Sequence, residues 1–131
     1  MDKIIKSALV CMKDKKLLVV HKKTINEYIS PGGKNEEGEE DLECLKREIN
    51  EELGCLPINL EFWKTFFDKT QDNKELELRA YFGDLKGEIK INPKDNIDGF
   101  LWIERDYDKK IKLANIIKRD IIPLLIKGEL L

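Results

Sequence analysis

Three glutamates are spaced so that a helix would bring their carboxylates together. At about 100° per residue, Glu48, Glu51 and Glu52 share one arc of a helical surface. Like charges at this spacing cost about a few tenths of a kcal/mol per pair, and the helix dipole disfavours anions near the C-terminal end. A hard divalent cation would compensate such a cluster more fully than Lys46 and Arg47 do. A solvated acidic face is the alternative, because 38% of the chain is charged.

The helix that would carry these carboxylates is predicted from Glu40 to Leu53. Gly54 follows it, at the position that a C-cap glycine occupies. Before the helix, residues 24–38 lack periodicity and contain Pro31-Gly32-Gly33, which predicts an irregular loop where backbone can approach another group closely. The apolar residues of the helix recur every three or four positions and are predicted to face the core: Leu42, Leu45, Ile49 and Leu53.

The segment 33–55, GKNEEGEEDLECLKREINEELGC, resembles the Nudix box, G-x5-E-x7-R-E-U-x-E-E-x-G-U with U aliphatic. Every fixed polar and glycine position of that pattern is present. Only Cys55 departs from it, at the last aliphatic place, where a buried thiol behaves as a small apolar residue. This spacing favours a metal site over a solvated face. The resemblance implies a Nudix-type α/β/α sandwich with a curved mixed β-sheet between helices.

The resemblance also implies roles for individual residues. Arg47 would orient the carboxylates through its planar guanidinium, and Glu39 would tie the loop to the start of the helix. The implied cofactor is Mg²⁺, with Mn²⁺ as a substitute. Its ligands would be oxygen atoms of four residues: the Gly33 carbonyl and the carboxylates of Glu48, Glu51 and Glu52.

The general base is left open between a glutamate of the box and an acidic residue ahead of the late aromatic strand. Asp98 is the preferred residue in that region and Asp95 the second choice; capping of a turn is the alternative for Asp98. The catalytic residues predicted on this basis are Arg47, Glu48, Glu51, Glu52 and Asp98.

Two residues are predicted to bind the substrate. Tyr28 precedes the Pro-Gly-Gly loop, where relatives place a pocket aromatic. Asn115 resembles the purine-reading asparagine of MutT-like members of the family, and a helix cap is the alternative. His21 is interpreted as structural. The other aromatic side chains of the strands are interpreted as core residues.

The implied reaction is magnesium-dependent hydrolysis of a nucleoside diphosphate-linked substrate. The most favoured version is a (d)NTP pyrophosphatase that yields the nucleoside monophosphate and pyrophosphate, with oxidised nucleotides included as candidates. Diadenosine polyphosphate or ADP-ribose hydrolysis is the first alternative, although residues 70–72, Thr-Gln-Asp, lack the Tyr or Pro that marks it. A non-catalytic nucleotide-sensing module is the second.

The remaining elements must form the frame of the site. Strands are predicted at 3–12 and 16–21 as a pair, and near 58–68, 75–83 and 99–104, broken by Asp72-Asn73, Gly87 and Pro93. A helix is predicted from Leu113, with Pro123 ending or kinking it. The order suggests a single α/β domain over residues 1–131.

Composition limits the partners. The net charge of −2 disfavours binding to duplex nucleic acid. The apolar runs fall short of the ~20 residues needed to cross a bilayer, so no membrane partner is expected. Three cysteines without a paired motif fit the reducing cytoplasm. Monomer and homodimer are both left open, and the expected partner is a small nucleotide substrate.

Overall fold

The computed structural model of the chain describes residues 3–70, 72–92 and 94–131. The first half contains β1 (Lys3–Val10), β2 (Met12–Lys13), β3 (Lys16–Lys22), β4 (Glu27–Ile29), β5 (Gly32–Lys34) and α1 (Asp41–Leu53). The second half contains β6 (Leu56–Lys69), β7 (Glu75–Lys86), β8 (Ile97–Ile103), a π-helical segment (Ile116–Ile121) and α2 (Ile122–Lys127). No helix in the described ranges is long and apolar enough to cross a membrane.

The strands form two sheets. One has the order β5-β1-β7-β6 and is mixed, because β1 runs parallel to β7 and antiparallel to β5. In the other, β3 pairs with β2, β4 and β8. The predicted pairing of 3–12 with 16–21 is therefore wrong for most of its length. Of the predicted first strand, only the β2 residues pair with β3, because β1 forms its backbone hydrogen bonds with β7 and β5.

The mixed α/β fold predicted from the sequence is confirmed. Strands β1 and β3 alternate between two apolar clusters, because successive side chains of a strand point to opposite faces. Leu9 and Leu18 pack with residues of α1 in one cluster, whereas Val10 and Val19 pack with residues of the C-terminal helix in the other. The sheets are thereby buried between helices.

The predicted irregular loop at 24–38 contains two short strands. Gly32 pairs with Ala8, and a Cβ at Gly32 would lie 2.1 Å from the Ser7 carbonyl oxygen. Its φ of +130° is also accessible to glycine and rare for other residues. Only glycine therefore permits β5 to approach β1, as the close-approach interpretation of this segment expected. Three-residue strands leave too short a pattern to be recognised in the sequence.

Helix α1 begins and ends where the sequence indicated. Glu40 is its N-cap and forms a capping box with Glu43, and Gly54 ends it in the left-handed conformation. Of the predicted apolar stripe, Leu45, Ile49 and Leu53 are fully buried. The prediction that Leu42 faces the core is wrong, since Leu42 is 43% exposed and Cys44 is buried instead. The buried stripe of α1 therefore includes Cys44 in place of Leu42.

The C-terminal helix does not end at Pro123. It starts as the π-helical segment and continues as α2, with Pro123 in the first turn of α2. The backbone stays helical on both sides of this junction, because Ile121 and Ile122 both have right-handed helical dihedral angles. Pro93, which was predicted to break a strand, lies outside the described residues. So does Gln71, the middle residue of the segment 70–72 that lacks the Tyr or Pro marker.

Candidate active site

A cleft of about 310 Å³ opens between the two sheets and the start of the C-terminal helix. Strand β1 supplies its floor, and the β4–β5 segment, β8 and the π-helical segment supply its walls. Glu48 and Glu52 of α1 line the cleft next to β5. The lining is aliphatic, basic and acidic, and its charged members are Lys6, Lys22, Lys34, Glu48, Glu52 and Asp95.

Glu52 is the most buried carboxylate of the site. Its side chain belongs to a residue only 5% exposed, and its Oε1 accepts a hydrogen bond of 3.1 Å from the Gly32 N–H. Burial, together with the nearby Glu48 and Asp95, raises the pKa of Glu52 to about 8, and the hydrogen bond from Gly32 opposes this shift. Without a cation such a group is mostly protonated at neutral pH, and a cation in the cleft would favour its ionised form.

Glu48 lies against the backbone of Gly33. A Cβ at Gly33 would come within 2.4 Å of the Glu48 carboxyl carbon, so a larger residue there would displace the Glu48 carboxylate. Burial raises the pKa of Glu48, and Arg47 opposes that shift through a hydrogen bond of 2.9 Å to Oε1. The Gly33 carbonyl accepts a weak hydrogen bond from the Cys44 thiol at 3.4 Å. The glycine backbone thus brings the loop and the helix together at one point.

Arg47 connects the loop to the helix through Glu39. Its Nε and Nη2 donate to the two carboxylate oxygens of Glu39 at 2.8 and 2.9 Å, and Nη2 also donates to the Lys34 carbonyl at 3.2 Å. The hydrogen bond from Arg47 lowers the pKa of Glu39 to about 2. The bidentate partner is therefore Glu39, which fixes the guanidinium so that Nη1 can reach Glu48.

Glu51 points away from the cleft. Its side chain is 52% exposed and its Oε1 lies 3.6 Å from Nη1 of Arg47. Within the described part of the chain, no three His, Cys, Asp or Glu side chains are grouped so as to hold a metal ion. The donors at the cleft still fit a hard cation in kind, since Glu48, Glu52 and the Gly33 carbonyl offer only oxygen and two of them are desolvated carboxylates.

The two acidic residues considered as a general base lie in different places. Asp95 lines the cleft with Glu48 and Glu52. Asp98 lies in a separate depression, where its Oδ1 is 2.5 Å from Nδ1 of His21. The other ring nitrogen of His21 is 2.9 Å from Oδ1 of Asn26. These hydrogen bonds fit the structural interpretation of His21.

Tyr28 and Asn115 are also separated from the carboxylates. The Tyr28 side chain lines the depression that contains His21, with the two rings 5.0 Å apart. Its backbone N–H donates to Lys112 at 2.8 Å, and its carbonyl accepts from Ala114 at 3.0 Å. Asn115 is exposed at the N-cap of the π-helical segment and makes no side-chain cap hydrogen bond. Its neighbours Ala114 and Ile116 line the cleft, whereas Asn115 is not part of the lining.

The sequence interpretation missed a polar network behind the site. Asp41, in the first turn of α1, accepts hydrogen bonds from Tyr81 at 2.6 Å, Asn35 at 2.8 Å and Arg79 at 3.1 Å. Ser7 donates to Asn35 at 2.8 Å, so the network joins β1, the loop, α1 and β7. Acidic residues at the start of a helix are common, and the sequence does not show which strands they meet.

Comparison with known proteins identifies relatives. The NUDIX domain family matches residues 4–125. No curated protein matches the chain. Solved structures with this fold include three of which at least 90% of their own length is covered. The Escherichia coli ORF135 protein is 22% identical over 98% of this chain and 90% of its own, with a TM-score of 0.74.

The other two structures are of proteins described as MutT. A MutT NUDIX hydrolase from Burkholderia pseudomallei is 18% identical over 90% of this chain and 95% of its own, with a TM-score of 0.80. A MutT protein from Methanosarcina mazei Go1 is 17% identical over 97% of this chain and 95% of its own, with a TM-score of 0.72. At these identities the structures establish the fold alone.

Proposed function

The chain belongs to the NUDIX family of hydrolases, and we propose that it is a magnesium-dependent nucleotide pyrophosphatase that cleaves a (d)NTP to the monophosphate and pyrophosphate. The observation that carries the proposal is the placement of Glu48 and Glu52 against the Gly32-Gly33 backbone at a cleft of about 310 Å³. A phosphoric anhydride resists water because its oxygens are negative, so a site that cleaves it must neutralise charge and align a water.

Glu48, Glu52 and the Gly33 carbonyl are the residues that would hold Mg²⁺, with Glu51 on the adjoining face of α1. When bound, the ion supplies neutralisation of phosphate charge and a lowered pKa for a coordinated water. Arg47 keeps Glu48 in place through its bidentate pairing with Glu39. Catalysis by this chain then depends on how rigidly α1 and β5 present those oxygens.

A carboxylate must accept the proton of the attacking water. Asp95 supports this role by position, because it shares the cleft with Glu48 and Glu52. Asp98, preferred from the sequence, is paired with His21 outside that lining. We therefore propose that Asp95→Asn lowers kcat by about 100-fold or more, the usual range for a general base. An equal or larger loss in Asp98→Asn, with Asp95→Asn active, would return the role to Asp98.

Asn115, next to Ala114 and Ile116 of the cleft lining, is proposed to hydrogen bond the nucleobase. Tyr28 would act through its backbone, whose two hydrogen bonds fix the segment that leads into Asn115. The aliphatic wall formed by Ile29, Ile97 and Ile117 would pack on the base. A cytoplasmic location is also proposed, since the three buried cysteines are free thiols.

The test is a product-resolved assay of purified protein with Mg²⁺ against normal and oxidised nucleoside triphosphates, diadenosine polyphosphates and ADP-ribose. We expect monophosphate and pyrophosphate from a triphosphate, and a fall in kcat of at least about 100-fold in Glu52→Gln. Glu37→Gln is the matched control, because it removes the same charge from an exposed loop position of the same segment.

The outcomes separate the alternatives. Turnover of ADP-ribose or diadenosine polyphosphates in preference to triphosphates would replace the proposed substrate. Nucleotide binding without turnover would support a sensing module. Full activity of Glu52→Gln would remove the α1 carboxylates from the proposed site.

A further inference from the structure

Strand β8 begins with a β-bulge beside the cleft. His21 of β3 pairs with Gly99 and Lys22 pairs with Ile97, so Asp98 is an extra residue opposite this step of β3. A bulge bends its strand and changes the direction of nearby side chains. Here Ile97 and the two residues before it line the cleft, whereas Asp98 lines the separate depression. The bulge therefore divides the start of β8 between the two cavities.

Asn96 joins the start of β8 to the turn between β3 and β4, residues 23–26. Its carbonyl accepts a hydrogen bond from the Lys23 N–H at 2.9 Å, and its Oδ1 accepts one from the Thr24 N–H at 3.2 Å. Its Nδ2 donates to Thr24 Oγ1 at 3.0 Å. Only one orientation of the amide fits these contacts, because a backbone N–H can donate to Oδ1 but cannot accept from Nδ2.

The same residue holds the carboxylate of Asp95. The Asn96 N–H donates to Asp95 Oδ1 at 2.6 Å, and Asp95 Oδ2 makes no hydrogen bond within residues 3–70, 72–92 and 94–131. A carboxylate held through one oxygen keeps the other available to accept a proton. The N–H, C=O, Oδ1 and Nδ2 groups of Asn96 thus all serve to connect Asp95 with the β3–β4 turn.

Asp95 needs such a restraint because it lies near two other carboxylates. It lines the cleft with Glu48 and Glu52. Burial raises the pKa of each glutamate, and the negative charge of Asp95 adds to that shift. Carboxylates that are close together repel one another, so a freely rotating Asp95 side chain would turn away from the cleft into water. The hydrogen bonds of Asn96 oppose that movement.

We propose that Asn96 is a positioning residue that holds the Asp95 carboxylate in the cleft, with Thr24 as its anchor on the β3–β4 turn. Thr24 is exposed and is not part of the cleft lining, so an effect of Thr24 on catalysis has to pass through the segment that it binds. The inference rests on the proposed function, because it takes Asp95 as the general base. The connection between the turn and β8 can also be measured without turnover.

Thr24→Val is the central variant, because valine keeps the shape of threonine and removes the hydroxyl. We expect kcat to fall by about threefold to tenfold and KM to change by less than about twofold, since a displaced catalytic group slows the chemistry without weakening binding. Thr24→Ser keeps the Oγ and should recover most of the wild-type kcat. Asn96→Ala loses both side-chain hydrogen bonds and should lower kcat by about 10- to 100-fold.

A double-mutant cycle distinguishes positioning from a general structural defect. In the Asp95→Asn background, Thr24→Val should change kcat by less than about twofold, because the group that it positions is already disabled. A structural defect would cost the same factor in both backgrounds. Thr70→Val is the matched control: it removes a hydroxyl that makes two hydrogen bonds in the β6–β7 turn, and it should leave kcat unchanged.

The second readout is amide hydrogen exchange, measured by NMR on the metal-free protein without substrate. The Lys23 N–H donates to the Asn96 carbonyl, and the Asn96 N–H donates to Asp95. Both amides should exchange at least about fivefold faster in Thr24→Val than in the wild type, because the segment opens more often. Thr70→Val should leave both exchange rates unchanged.

The proposal is overturned if Thr24→Val keeps the wild-type kcat, or if its loss of kcat is as large in the Asp95→Asn background. Wild-type exchange at both amides in Thr24→Val would overturn it as well. The proposed function fails separately, in the assay for nucleotide turnover. If the protein hydrolyses no nucleotide, exchange at the two amides alone decides whether Thr24 and Asn96 hold Asp95.

Discussion

At the scale of single residues, the proposed role of Glu52 as a metal ligand is opposed to the stability of the metal-free fold. Its carboxylate is buried, with one hydrogen bond from Gly32 and two acidic neighbours, so it destabilises the metal-free fold. Glu52→Gln keeps the shape and the acceptor oxygen but removes the ionisable group, whose pKa the fold raises to about 8. We expect the variant to be more stable by about 1–3 kcal/mol at pH 7 without metal, although it is inactive.

Urea unfolding of both proteins in a chelating buffer measures this difference. The control is Glu37→Gln, which should stay within about 0.5 kcal/mol of the wild type because its side chain is exposed. A Glu52→Gln protein less stable than the wild type would mean that interactions within the fold already stabilise the Glu52 carboxylate, without a bound cation.

His21 allows a direct test of the separate depression beside the cleft. The hydrogen bonds to Asp98 and Asn26 raise its pKa above the ordinary value of 6.5. A raised histidine pKa means that the pair contributes its full stability below pH 6.5 and loses it as the pH rises through the folded-state value. Asp98→Asn should therefore lower the His21 pKa, and the wild type should lose its stability advantage over that variant above neutral pH.

His21 is the single histidine of the chain, so its imidazole resonances can be followed by NMR without assignment ambiguity. Asp95→Asn is the matched control, since Asp95 lines the other cavity. An unchanged His21 pKa in Asp98→Asn, or an equal shift in Asp95→Asn, would contradict the assigned pairing.

Spacing along the chain predicted which residues of α1 and its loop would act together, because a helix and a glycine turn impose fixed geometry over a few residues. Arg47, Glu48 and Gly33 meet as the 33–55 pattern implied. Asp98 and Tyr28 lie outside the cleft lining, since the direction of a side chain on a distant strand depends on register.

At the scale of elements, the network around Asp41 fixes the start of α1 to β7. Tyr81 donates to Asp41 at 2.6 Å, and the carboxylate is partly buried. Tyr81→Phe should destabilise the protein by about 1–3 kcal/mol, because a hydrogen bond to a charged acceptor is lost. Activity should fall as well, since α1 carries Glu48 and Glu52.

Urea unfolding and kcat measure the two effects. Tyr107→Phe is a suitable control, because the Tyr107 hydroxyl makes no hydrogen bond within the described residues, and its partly buried ring contacts the Lys109 ammonium at 3.5 Å from the ring centroid. That change should stay within about 0.5 kcal/mol of the wild type. A Tyr81→Phe protein as stable as this control would show that Arg79 and Asn35 hold Asp41 alone.

Elements whose sequence pattern extends over many residues were predicted well. Very short strands were not, and neither were strands whose pairing partner lies far away in the chain. The boundaries of α1 follow from a capping box and a C-cap glycine, both local features. Strand β5 has only three residues, and it exists because β1 supplies its hydrogen bonds. The same long-range competition explains why β1 leaves β3 for β7, a choice decided about 70 residues further along the chain than β1.

At the scale of the whole molecule, the cleft depends on the pairing of β1 with β7, which places β1 and β3 in different sheets. The C-terminal helix packs against residues of both strands. Residues from all parts of the chain, including Lys6, Glu52, Asp95 and Ile117, meet there. The fold is therefore needed in full for the site to exist, and any cation bound in the cleft should stabilise the entire protein.

Magnesium should accordingly raise the melting temperature of the wild type. An ion that binds only the folded state at 100 times its dissociation constant contributes about 2.7 kcal/mol, which for a domain of this size raises the melting temperature by roughly 5–15 °C. Glu52→Gln should start from a higher melting temperature without metal and respond little to Mg²⁺, since it has lost both the buried ionisable group and a ligand. Glu37→Gln should respond as the wild type does. Differential scanning calorimetry with a magnesium titration measures all three proteins, and an equal response of Glu52→Gln would place the ion elsewhere than between α1 and the Gly32-Gly33 backbone.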